Sequence, residues 1–116
     1  MEDRFTQQLK KGVLEMLVLE LVCQGPTYGY SLLSRLKEAS GGVFTLKEGT
    51  LYPILYRLED DGMIVSRWHQ GEGRSAPKKM YQATDKGMAE NRRRRMIWLD
   101  FANTVESFYR GGEETQ

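Results

Sequence analysis

Tyr52, Pro53, Tyr56 and Arg57 are the residues whose types and spacing best suit contact with a polyanion or a base edge. A tyrosine can donate its hydroxyl to a phosphate oxygen or lay its ring against a thymine methyl, and an arginine can bond a phosphate or a guanine edge. Helical spacing sets them on one side of the stretch Glu48–Gly62, beside Gly49 and Thr50. The other side carries Leu51, Ile54, Leu55 and Leu58 at i, i+3, i+4 and i+7, the apolar stripe of a core-facing helix. A merely solvated face would hold Lys, Glu and Gln. Here the acids Asp60 and Asp61 stand at the far end, leaving an outward surface suited to lie against a partner. A helix that places its N-terminal residues in the DNA major groove has this character.

Other chemistries are poorly served. The only histidine, His69, falls on an expected exposed strand, and the only cysteine, Cys23, lies on a helix some forty residues away. Cys23 has no partner in view and reads as a buried, inert thiol. Asp60 and Asp61 adjoin a helix end and read as solvated. Neither metal-ligand spacing nor a phosphate-cradling glycine motif occurs, so neither catalysis nor a metal or other cofactor is expected.

The chain of 116 residues is expected to form one domain. It is 40% hydrophobic and 28% charged, with a net charge of +1, which is ordinary for a soluble globular protein. A cytoplasmic, reducing location is expected from the single cysteine and the lack of a secretory leader or membrane-length apolar run. Charge is local rather than global. From Arg67 to Lys79, four bases stand against the single acid Glu72, a net +3.

The elements that hold the reading helix follow from periodicity. The first seven residues show no core period and read as loosely held. Leu9, Val13, Met16, Leu17 and Leu21 then mark an amphipathic helix from about Phe5 or Leu9 to Gln24, stopped by Gly25-Pro26. Thr27 is the expected N-cap of a second helix, Tyr28–Ala39, which buries Leu32, Leu33 and Leu36. Gly29 in its first turn suggests close approach of another backbone. Val43–Leu46 reads as a short extended link. After Gly62, Met63–His69 and Lys79–Ala83 read as two strands with the turn-rich linker Gly71–Pro77 between them, a hairpin with a basic tip at Arg74, Lys78 and Lys79. Two helices joined by a linker and followed by such a hairpin make a winged helix-turn-helix, within a fold that is mainly α. The alternative is a small three-helix bundle, which the β-rich segments disfavour.

From Thr84 a long helix is expected to run to about Arg110, followed by a polar tail, 111–116. Ile97, Trp98, Phe101, Val105 and Phe108 form a heptad-like seam that a compact winged helix does not need. The economical reading is a homodimer through this helix, with help from Leu9 on the first. The organisation expected is thus a DNA-binding domain over 1–83 and a dimerisation helix over 84–110. The run Arg92–Arg95 reads as a solvated face, with DNA contact as a minority reading.

At this point the residues resemble a family. The segments GPTYGYSLLSRL (Gly25–Leu36), EGTLYPILYRLEDDGMI (Glu48–Ile64) and GRSAPKKMYQATDKG (Gly73–Gly87) are similar to those of PadR-type transcriptional regulators, in the small subfamily with one C-terminal helix. The wing departs from the family's usual series: Ser75-Ala76-Pro77 intervene, and Met80 replaces a tyrosine. The resemblance implies a repressor that dimerises through its last helix and binds a pseudo-palindromic double-stranded operator. It implies groove-facing roles for Thr50, Tyr52, Pro53, Tyr56 and Arg57, with Gly49 among them. Tyr28 would lie near the phosphate backbone, as would Tyr30 if it is not core. Trp98 matches a position that stacks on flat aromatic compounds, so a small aromatic effector is a candidate ligand; the competing reading makes it interface core alone. A different class of function also remains, a winged helix whose outward face binds another protein without specific DNA binding.

Overall fold

The computed structural model describes residues 2–71 and 73–114, with side chains described to residue 111. In chain order the elements are α1 (Arg4–Cys23), β1 (Thr27–Tyr28), α2 (Gly29–Ala39), α3 (Glu48–Asp60), β2 (Ile64–His69), β3 (Lys78–Ala83) and α4 (Asp85–Glu114). The fold is mostly helical with a small antiparallel sheet, ordered β1-β3-β2.

The core forms where the leucines of α2 and α3 meet the second half of α1. Leu32, Leu36, Leu51, Leu55 and Leu58 are buried with Val18, Leu19 and Val22, and Ile64 and Tyr81 close it from the sheet. The four apolar positions expected on α3 are all inside. On α1 the buried side differs from the expected one: Val18, Leu19 and Val22 are deepest, whereas Leu9 is exposed. Only the C-terminal half of α1 is enclosed by α2, α3 and the sheet, so the stripe on its first half meets only α4 and the segment around Phe44.

Several boundaries depart from the sequence reading, most by a residue. Helix α1 starts at Arg4, because the Asp3 carboxylate accepts a hydrogen bond from the Thr6 amide at 2.8 Å and caps it. Thr27 does not cap α2. It is buried in β1, paired with Tyr81, and Tyr28 takes the cap position without a side-chain bond. A two-residue strand is too short to show alternation, which is why β1 is invisible to periodicity. Helix α4 continues past Arg110 to Glu114 through two glycines that weaken a helix without breaking it, since each keeps its N–H; Thr115 and Gln116 of the expected tail lie outside the described residues.

The hairpin is antiparallel, with Ile64 opposite Ala83 and His69 opposite Lys78. Its exit sets the direction of α4. Thr84 caps that helix as expected, its Oγ1 accepting from the Gly87 amide at 3.0 Å while donating to the Gly62 carbonyl at 2.7 Å. The turn before β2 needs a positive φ at Gly62, +76°. The second half of α4 then runs clear of the body, in a molecule 68 Å long and 20 Å thick.

Candidate nucleic-acid interface

Helix α3 turns Gly49, Thr50, Pro53, Tyr56 and Arg57 outward, all exposed. Pro53 stands inside the helix and has no N–H, so the Gly49 carbonyl on the same open face has no i+4 donor. Tyr56 is 54% exposed. Tyr52 is different. Its ring packs against the core, and a Cβ built on Gly29 would fall 2.8 Å from its hydroxyl oxygen. The glycine of α2 therefore accommodates this side chain, not a crossing backbone as the sequence suggests. Burial pushes the Tyr52 phenol pKa up, with Glu48 and Tyr56 adding to the effect, so it stays a neutral hydrogen-bonding group. Half of the expected tyrosine pair is thus free for a partner, and the other half props the helix.

Arg57 keeps more than half its side chain in solvent, but its guanidinium is 3.9 Å from Glu15 on α1. The same carboxylate lies 3.9 Å from Arg94 on α4. Ion pairs this long are weak and leave Arg57, itself exposed, available to a stronger anion.

The wing brings its lysines to the aromatic residues. Lys78 sits over the rings of Tyr28 and Tyr30, its Nζ 5.8 and 5.0 Å from their centroids, and those two rings stack on each other at 5.8 Å. His69 meets Tyr28 edge-on at 6.2 Å. Lys79 Nζ lies 5.8 Å from the Tyr56 centroid and 5.9 Å from that of Trp68. Two clusters therefore form, Tyr28, Tyr30 and Lys78 on one face of β3 and Tyr56, Trp68 and Lys79 on the other, towards α3, with Tyr30 exposed rather than core. Arg74 projects separately on the exposed hairpin loop. Beneath them Tyr81 is buried, its hydroxyl without a partner among the described residues and its pKa pushed up to about 12, chiefly by burial.

On α4, Ile97, Trp98, Phe101, Val105 and Phe108 are all exposed, as is Leu9 on α1. A groove of about 710 Å³ runs between α1 and α4, lined by Leu9, Val13, Met16, Phe44, Trp98 and Phe101 among others. Asn91 donates to Glu20 across the same helix pair at 3.0 Å. That bond and one from Gln24 hold the Glu20 carboxyl below its ordinary pKa. Among the described residues no group of three or more His, Cys, Asp or Glu is placed to hold a metal, and no helix is long and apolar enough to cross a membrane.

The family profile described as the transcriptional regulator PadR-like family matches residues 18–93, from the last turns of α1 through the wing into α4. The chain belongs to that family. Among curated relatives, the negative transcriptional regulator PadR of Bacillus subtilis is 37% identical over 67% of this chain, which spans 42% of that protein's length. The transcriptional regulator Rv3488 of Mycobacterium tuberculosis is 30% identical, covering 72% of this chain and 73% of its own. Among solved structures, a PadR-family regulator from Eggerthella lenta superposes with a TM-score of 0.81 at 33% identity, over 90% of this chain and 88% of that one. A PadR-like regulator from Bacillus cereus gives 0.73 at 30% identity, over 87% and 95%. The PadR-like chain is thus a winged-helix transcriptional regulator, and its family consists of regulators rather than enzymes.

Two features of this PadR-like chain escape the sequence reading. Trp68 stands exposed on the same side as Tyr56, where an expected strand position gave no sign of its neighbours. Gly87, by contrast, carried a signal: a glycine in the first turn of a helix asks for a close approach, and here a Cβ would lie 1.9 Å from the Met63 carbonyl oxygen.

Proposed function

We propose that this regulator is a cytoplasmic repressor that binds a pseudo-palindromic DNA operator as a homodimer. The observation that carries the reading is the continuity of one face: the outward side of α3, with Thr50, Pro53, Tyr56 and Arg57, runs into the wing where Lys79 meets Tyr56. In this reading α3 enters the major groove, Tyr52 holds it at the right height, and Tyr28, Lys78, Lys79 and Arg74 meet phosphates. Residues 1–83 form the DNA-binding domain and 84–110 the dimerisation helix. The exposed seam of α4 supports pairing with a second copy, because isolated apolar residues are common on surfaces but a row of five at helical spacing is not. Two reading helices would then address half-sites about 34 Å apart.

The groove beside Trp98 supports release by a small, flat aromatic effector, since it offers an indole face and an apolar lining of ligand size. The test of the function is a gel-shift and protection series on the DNA upstream of this chain's own gene. Protection of an inverted repeat, abolished by Tyr56→Ala, is the expected result. Binding to a protein partner with no steep fall in affinity as salt rises would instead favour the interaction-module reading.

A further inference from the structure

The exposed indole of Trp68 lies outside the contact set described so far, yet the strand geometry aims it at the same target. Along β2, Ile64, Ser66 and Trp68 alternate onto one side. Ile64 is fully buried in the core, and Ser66 donates its hydroxyl to Glu59 of α3 at 2.7 Å. That side of the strand is therefore the side of α3. Trp68 is the next residue on it, one step beyond the core, and is 70% exposed. Its cross-strand partner is Lys79, whose ammonium lies between the Trp68 and Tyr56 rings, 5.9 and 5.8 Å from their centroids. The three side chains bridge the gap between the reading helix and the wing.

We infer that Trp68 contacts the sugar–phosphate backbone of duplex DNA between the groove entered by α3 and the one approached by the wing. The chemistry fits a backbone and not a base. An indole has a single donor and no acceptor, suited to one phosphate oxygen, and its ring offers an apolar face to deoxyribose. Lys79, held against that ring, supplies the charge the indole lacks. The contact adds affinity with little sequence information, and it operates only if this face binds DNA as proposed above.

The test uses the full chain carrying 5-fluorotryptophan, with duplexes of 30 base pairs selected by the protein from a random-sequence pool. Fluorine NMR gives separate Trp68 and Trp98 resonances, assigned by the one lost in Trp68→Phe. Adding duplex shifts the Trp68 resonance. Trp68→Ala weakens binding about tenfold on selected and unrelated duplexes alike, leaves the salt slope unchanged and leaves the circular dichroism intact; Trp68→Phe, keeping the ring and losing the N–H, falls between. Lys79→Ala lowers the salt slope. An unmoved Trp68 resonance overturns the inference, whether or not Trp68→Ala weakens binding, and so does unchanged affinity of the alanine variant. Those results leave the DNA-binding reading standing. A parent chain that retains no duplex even at low salt removes that reading and this one together.

Discussion

An alanine at position 87 would drive its Cβ to 1.9 Å from the Met63 carbonyl oxygen, a backbone atom that cannot step aside as a side chain could. Gly87→Ala is therefore expected to destabilise the fold by about 3 kcal/mol, read as a lower denaturant midpoint at unchanged m-value. Tyr81 gives the opposite case. Its hydroxyl is buried with no partner among the described residues, so Tyr81→Phe removes an unsatisfied donor and keeps the ring. Stability should hold or rise by about 1 kcal/mol in the same measurement. The two tyrosines of α3 separate in the same way. Tyr56→Ala should weaken DNA binding without altering the melting temperature, whereas Tyr52→Ala should lower both, because its ring packs over Gly29 against the core.

Between elements, the packing of α1 on α4 carries a pH dependence. Glu20 has its pKa lowered by hydrogen bonds from Asn91 on α4 and Gln24 on its own helix. A depressed folded-state pKa means stabilisation that is full above the ordinary value of 4.5 and lost as pH falls through the lower folded value. Acid unfolding of Glu20→Gln should be less steep in that window than that of the parent, measured by circular dichroism from pH 6 downward; equal slopes would remove Glu20 from the account. The element scale is also where the sequence was most legible. A 3.6-residue period over α3, turn residues after Gly62 and β-branched residues in the hairpin were enough to place α3 and the wing. Strand β1 has two residues and no period, and the inward lean of Tyr52 depends on a glycine twenty-three positions away. Neither contact can be seen by reading neighbours along the chain.

On the scale of the whole molecule, two surfaces stand out among the described residues: the aromatic and basic face of α3 and the wing, and the apolar seam of α4, where Phe108 is 78% exposed. The first was legible in part, since Tyr56 and Pro53 on the outer side of a helix depart from a solvated pattern, whereas Tyr52, expected beside them, packs inward. The second was legible as a surplus, since its heptad spacing exceeds what a single winged helix can bury. A charge at the seam should leave the winged helix folded and disrupt pairing, so the parent is expected to sediment as a dimer and Phe108→Glu as a monomer. Loss of pairing should also weaken operator binding steeply, because the two half-sites would then be held independently.

The most direct measurement is the affinity for an upstream inverted-repeat duplex across a salt series, with the parent, Lys78→Ala and Lys79→Ala. Each lysine that neutralises a phosphate contributes about 0.9 to the logarithmic slope, so each substitution should reduce a dimer's slope by about 2. Slopes that stay as steep as the parent's in both variants would contradict the placement of DNA on this face.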